Sequence, residues 1–139
     1  MQREQEIRSR LSKMGKKLGH WLLVLLWMGL IFYLSAQPDL PHHPAGMVDL
    51  IIKKAGHMVQ YGILAGLVWL AWPRGGKGGL RHVFLYAFVL SGLYAISDEV
   101  HQFFVPGRNG RLLDVGFDLV GAALALLLMS NLIGRREPQ

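Results

Sequence analysis

Four long apolar blocks divide this chain and constrain it more than any motif does. They run from about Trp21 to Ala36, Gly56 to Trp72, Leu80 to Ser97 and Val115 to Ile133. An α-helix rises about 1.5 Å per residue, so about 17–25 residues cross the hydrocarbon core of a bilayer. The blocks sit at or just below the lower end of that range, which puts their polar edges near the headgroups or inside a bundle. With 139 residues, 52% apolar and 17% charged, the chain has room for one domain and the balance of a membrane protein. The expectation is an all-α integral membrane bundle of four transmembrane helices. Residues 1–19 form a basic arm, 20–133 the membrane domain and 134–139 a tail.

The net charge of +6 does not point to nucleic acid, because the basic residues collect at the ends of the blocks and no basic stripe interleaved with aromatics is present. The absence of cysteine excludes a disulfide framework, a thiol nucleophile and a thiolate metal site. The first block has the basic front of a signal peptide, but Leu34, two residues before Ala36, is not small, so the block reads as retained.

Charge gives the orientation. With the N-terminus cytoplasmic, Arg3, Arg8, Arg10, Lys13, Lys16, Lys17, Arg74, Lys77, Arg81, Arg135 and Arg136 fall inside, eleven of the fifteen basic residues. Both termini are then cytoplasmic, and Trp21, Trp69 and Trp72 mark the inner interface. Ile7, Leu11, Met14 and Leu18 give the arm a thin apolar stripe, which fits either an amphipathic helix on the inner leaflet or a solvated tail. The prolines of "SAQPDLPHHPAGMVD" disfavour regular structure, and His42 and His43 within it read as solvated rather than as metal ligands. "PRGGKGGL" lacks the spacing of a phosphate-binding loop and reads as a flexible basic turn. Gly62 with Gly66, and Gly121 with Ala125, are small-residue pairs that let helices approach closely, within one chain or in a homo-oligomer.

The polar residues inside and beside the blocks carry the functional signal. Lys54, His57, Tyr61 and Leu64 share one face of the second helix, and Tyr94, Asp98, His101 and Gln102 share one face of the third. Glu99 is turned about 100° from Asp98. Asp114, Asp118 and Gly121 align on the fourth helix. All reach similar depth on one side, and a charge facing lipid costs at least ~2.5 kcal/mol, so these groups should turn toward one another. Lys54 and Arg108 would then offset Asp98, Asp114 and Asp118. Between the third and fourth helices, Pro106-Gly107 and Asn109-Gly110 are turn pairs that hold Arg108 as a planar donor, either for a carboxylate or phosphate or for a pair with Asp114. Phe103 and Phe104 are placed to dip into the interface. Ser35, Ser91 and Ser97 have no base-and-oxyanion arrangement nearby and are expected to bond their own backbone.

"LSAQP", "KAGHMVQYGILAG" and "SDEVHQFFVPGRNGRLLDVGFDLVGAAL" closely resemble the VanZ-like family of small bacterial membrane proteins, over about Phe32 to Leu128. Carried over by position, the motif residues of that family fall on Lys54, His57, Tyr61, Asp98, Glu99, Gln102, Pro106, Gly107, Arg108 and Asp114. The chain departs from the family pattern at Asp118, where asparagine is frequent, and at Lys53, where an aspartate is common; position 101 varies. The resemblance implies a multi-pass protein of the bacterial cytoplasmic membrane. It also implies an envelope setting linked to resistance to teicoplanin, a lipid-tailed glycopeptide.

The preferred expectation is an outward-facing polar site of Lys54, His57, Tyr61, Asp98, Glu99, His101, Gln102, Arg108, Asp114 and Asp118 that binds an anionic envelope lipid or lipid-linked wall precursor. Whether it also modifies or moves that ligand stays open. Lys54 and Arg108 would hold phosphate or carboxylate, Asp98 and Glu99 could serve as general base or acid, and His57 could donate to the headgroup or shuttle a proton. No cofactor and no resident metal are expected, and membrane lipids are the natural partners. Two alternatives stand beside this one. One is a metal-dependent hydrolase or transferase using His57, Asp98, Glu99 and His101; the other is a scaffold whose polar cluster only orders the bundle.

Overall fold

The computed structural model describes residues 1–38, 46–73, 79–108 and 110–134. Among these residues the regular structure is entirely α-helical, in the order α1 (Gln2–Ser35), α2 (Gly46–Ala71), α3 (Gly79–Phe103) and α4 (Leu112–Gly134). The helices outrun the apolar blocks at their polar ends. α2 starts ten residues before Gly56, and α3 continues past Ser97 to Phe103, so the residues of the candidate site other than Arg108 are helical. His42 and His43 and most of the "PRGGKGGL" turn lie outside the described residues.

Three helices are long and apolar enough to cross a membrane: α1, α3 and α4 up to Ile133. Their large apolar side chains are mostly outward, Leu22, Leu25, Leu26, Leu93, Val100, Leu124 and Leu128 among them, as helices facing lipid require. α2 has the length, about 39 Å at 1.5 Å per residue. Lys53, Lys54, His57 and Gln60 dilute its apolar character. Like α3, it packs against all three other helices, and Lys54 and His57 pair with α4 inside the bundle.

α2 and α4 run in the same direction and form the closest pair. A Cβ on Gly121 would overlap the backbone of Met58, and one on Gly62 would lie 3.2 Å from the Gly121 carbonyl oxygen. Gly66 faces the Met129 sulfur. The two small-residue pairs of the sequence therefore meet each other, within one chain. The core beneath them is Tyr61, Leu64, Ala65, Val68, Ala122 and Leu126, with Val24 and Ile31 from α1 and Val83, Ala87 and Ala95 from α3. α1 is pinned by the Trp27 indole N–H donating to the Gln60 carbonyl at 2.9 Å and by the Tyr94 hydroxyl donating to the Met28 carbonyl at 2.6 Å. At the end away from the polar residues, Trp72 meets Trp21 edge-on with centroids 6.0 Å apart and stacks on Tyr86 at 4.7 Å. Trp69, expected at the interface, is instead fully buried in the core.

The basic arm is helical and continues the first apolar block without a break. Residues 1–19 are all exposed, and the Arg10–Glu6 ion pair at 3.0 Å runs along their surface. α1 therefore measures about 51 Å, well beyond the ~30 Å hydrocarbon core.

Gly121→Ala should lower stability by about 1–3 kcal/mol, the usual cost of overpacking, because the added methyl has only α2 backbone to displace. Gly56→Ala, where a Cβ meets nothing, should be neutral or mildly stabilising. Thermal denaturation of both variants in detergent measures the contrast, and equal melting temperatures would contradict the packing described.

Candidate functional site

The C-terminal ends of α1 and α3 and the N-terminal ends of α2 and α4 meet at one end of the bundle, and each brings polar residues there. Asp98 lies between α3 and α1. Its Oδ2 accepts from the Ser35 hydroxyl at 2.9 Å and from the Gln102 amide, one turn further along α3, at 3.0 Å. Gln102 also reaches the Ser35 oxygen at 3.4 Å, closing a small buried network. Ser35 was expected to bond its own backbone; a nearby buried carboxylate is the stronger acceptor and receives its hydrogen bond instead. Ser97 does bond back, to the Tyr94 carbonyl at 2.8 Å.

Glu99, one residue on, points away from Asp98 toward α2 and α4. It is buried all the same, because the end of α3 is enclosed on both sides. Its Oε2 accepts the backbone N–H of Arg111 at 2.7 Å. That contact needs the loop to pass hard against α3: Gly110 sits where any Cβ would strike the Glu99 carbonyl. The loop gets there by a turn in which the Arg108 N–H donates to the Val105 carbonyl at 3.1 Å, with Pro106 first and Gly107 (φ 81°) second, the pattern of a type II turn.

Across the bundle, α2 and α4 pair polar residues in step. Lys54 forms an ion pair with Asp114, and its ammonium also lies 5.3 Å from the Phe117 ring centroid. One turn deeper, His57 Nδ1 is 3.2 Å from Asp118 Oδ1. Asp118 is only 1% exposed. His57, Glu99 and Asp118 converge, each offering a nitrogen or oxygen within 4.8 Å of the others. Tyr61, also buried, lies on the same face below them, its ring 6.4 Å from that of Tyr94. Two carboxylate oxygens of this cluster, Glu99 Oε1 and Asp118 Oδ2, are buried with no partner among the described residues, and the Tyr61 hydroxyl faces Asp98.

Two expected members take other places. Among the described residues Arg108 pairs with no carboxylate, Asp114 included. Its Nε donates to the Gln37 carbonyl at 3.0 Å and its Nη2 to the Leu34 carbonyl at 2.9 Å. Carbonyls left open at a helix C-terminus attract cations, and the planar fork of arginine spans two of them. His101 turns toward α1 and stacks on Phe32, ring centroids 4.4 Å apart, so the set of His57, Asp98, Glu99 and His101 does not assemble; Asp118 stands where His101 was expected. The Arg111 main-chain donor was invisible in the sequence, since a backbone N–H carries no residue signature; Gly110 was its only trace.

The family model for VanZ/LLP1 matches residues 20–133. The chain belongs to the VanZ/LLP1 family. No curated protein and no solved structure matches it. In this VanZ/LLP1 protein the matched region takes in α2, α3, α4, the loop of the turn and the part of α1 that packs, and leaves out the exposed basic arm.

Arg108 ties the α3–α4 loop to the end of α1. Arg108→Ala should cost about 1–3 kcal/mol, and Arg108→Lys should recover only part of it, because a point-like ammonium cannot span both carbonyls. Melting temperatures in detergent test the ranking; a lysine variant as stable as the wild type would refute the two-carbonyl clamp.

Proposed function

We propose that the protein is a four-span bundle of the bacterial cytoplasmic membrane with both termini inside, and that its outward end binds an anionic envelope lipid or lipid-linked wall precursor. The excess of basic residues in the arm, the α2–α3 connection and the tail supports this orientation. The observation that carries the binding reading is the mixed character of the polar end. Lys54 and Arg111 lie at the edge of a buried polar cluster, and Phe103, Phe104, Leu112 and Leu113 stand exposed beside them. A ligand with a charged head and apolar tails matches both halves of that surface. The basic groups hold the phosphate or carboxylate, and the exposed apolar side chains keep the chain-bearing part in the interface.

Asp98 and Glu99, the latter with a buried oxygen still free, are the groups available for proton transfer if the bound head is modified. Binding of wall precursors would connect the site to glycopeptide resistance, since those antibiotics act on the same molecules. A purely structural polar network, by contrast, would show no lipid preference.

Native mass spectrometry of the detergent-solubilised protein separates these readings. The wild type should retain phosphatidylglycerol in preference to phosphatidylcholine. Arg111→Gln, which keeps the main-chain bond to Glu99, should weaken that retention about tenfold, the scale of one charge-assisted hydrogen bond. Equal retention of the two lipids by the wild type would overturn the proposal.

A further inference from the structure

We infer that His57, Glu99 and Asp118 form a binding site for one divalent transition-metal cation of zinc or manganese type. The three side chains come from three helices, α2, α3 and α4, and present their ligand atoms within 4.8 Å of one another. Donors that share an ion at about 2.0–2.2 Å each sit at most about 4.4 Å apart, so small side-chain rotations close the shell. The helices that carry them are locked by the Gly62–Gly121 contact and by the Gly110 approach to α3, so the cluster is held by backbone packing and not by flexible loops.

A second observation points to a cation. Glu99 is 5% exposed and Asp118 1% exposed, and each keeps one oxygen buried without a partner, Glu99 Oε1 and Asp118 Oδ2. Their other oxygens are spent, on the Arg111 N–H and on His57. Lys54, whose charge also reaches Glu99 and Asp118, makes its ion pair with Asp114 one turn outward. Two carboxylates in a low-dielectric bundle with half their acceptor capacity unused are costly unless something positive supplies the missing bonds. A dication does this with one particle. One imidazole and two carboxylates, without sulfur, suit a borderline or hard cation such as zinc or manganese and not copper(I). The site also differs from the sequence-level metal alternative, in which His101 supplied the second imidazole. His101 is turned away onto Phe32, and Asp118 takes its place.

The inference does not depend on lipid binding, and its test uses none. The full-length protein, purified in detergent and stripped with a chelator, is equilibrated with zinc or manganese chloride, freed of excess metal and assayed by inductively coupled plasma mass spectrometry. One equivalent is expected in the wild type. Glu99→Gln and Asp118→Asn, which preserve side-chain shape, should each lower the bound metal at least tenfold. His101→Gln and a His42→Gln/His43→Gln double variant should keep it, which separates this cluster from adventitious histidine binding. Wild-type protein that takes up less than a tenth of an equivalent of either metal overturns the inference whatever the variants do. So does full occupancy in Glu99→Gln or Asp118→Asn, or loss of the metal only in the His42/His43 double variant.

Discussion

The contact between α2 and α4 sets the rest of the polar end. Two parallel helices that touch backbone to backbone at Gly62 and Gly121 are held in a single register, because the contact has no side chain to adjust. Counting outward from it, the same register faces His57 with Asp118 and Lys54 with Asp114. The small-residue pairs and the polar pairs are therefore one device read at two depths: close approach where the surroundings are apolar, charge pairing where the helices near the interface. In lipid, apolar side chains give no hydrophobic driving force for helix association, so tight packing and polar bonds must supply it. This interface uses both within three turns.

The loop between α3 and α4 solves a second problem, that of the open ends. α1 finishes with main-chain carbonyls that still have acceptor capacity, and Glu99 lies buried on α3 with no ion pair to a lysine or arginine among the described residues. A Pro-Gly turn throws Arg108 back onto α1, and the following residues bring a main-chain N–H to Glu99. One short segment thus bonds to a helix terminus and to one oxygen of a buried carboxylate on opposite sides of itself. The two glycines that permit it act differently. Gly107 takes a positive φ that L side chains avoid, and Gly110 clears the space in which the chain passes α3.

Much of this was legible in the residues. The apolar blocks gave the helices, the three- and four-residue spacings gave the polar faces, and the economy of burying charge in company gave their convergence. The helix limits were less visible, because apolar blocks stop where polar residues begin, while α2 and α3 run on through Lys54 and Gln102. The division of partners was the least visible. Helical periodicity says that Asp98 and Glu99 point in different directions, but not that α3 is enclosed on both sides so that both are buried. Nor does it say that Arg108, the most conspicuous cation of the motif, is drawn to main-chain carbonyls. Residue types reveal which charges are present; only packing decides which of them have already been answered.

This division of partners governs what the site can hold. With Arg108 turned to α1 and Lys54 to Asp114, the inner part of the cluster is left with carboxylate oxygens in excess of donors. An anionic head placed directly among Asp98, Glu99 and Asp118 would meet repulsion in a medium that screens it poorly. An anion is tolerable only nearer the rim, beside Lys54 and Arg111, or over a cation that has first neutralised the inner carboxylates. A dication bound by His57, Glu99 and Asp118 would do the second, since two carboxylates cancel its charge while its open coordination positions still attract oxygen. The two proposals therefore occupy different depths of one end of the bundle: the metal among the buried oxygens, the charged head at the basic edge. The absence of a cation would confine the head to the rim and remove any means of polarising it from within.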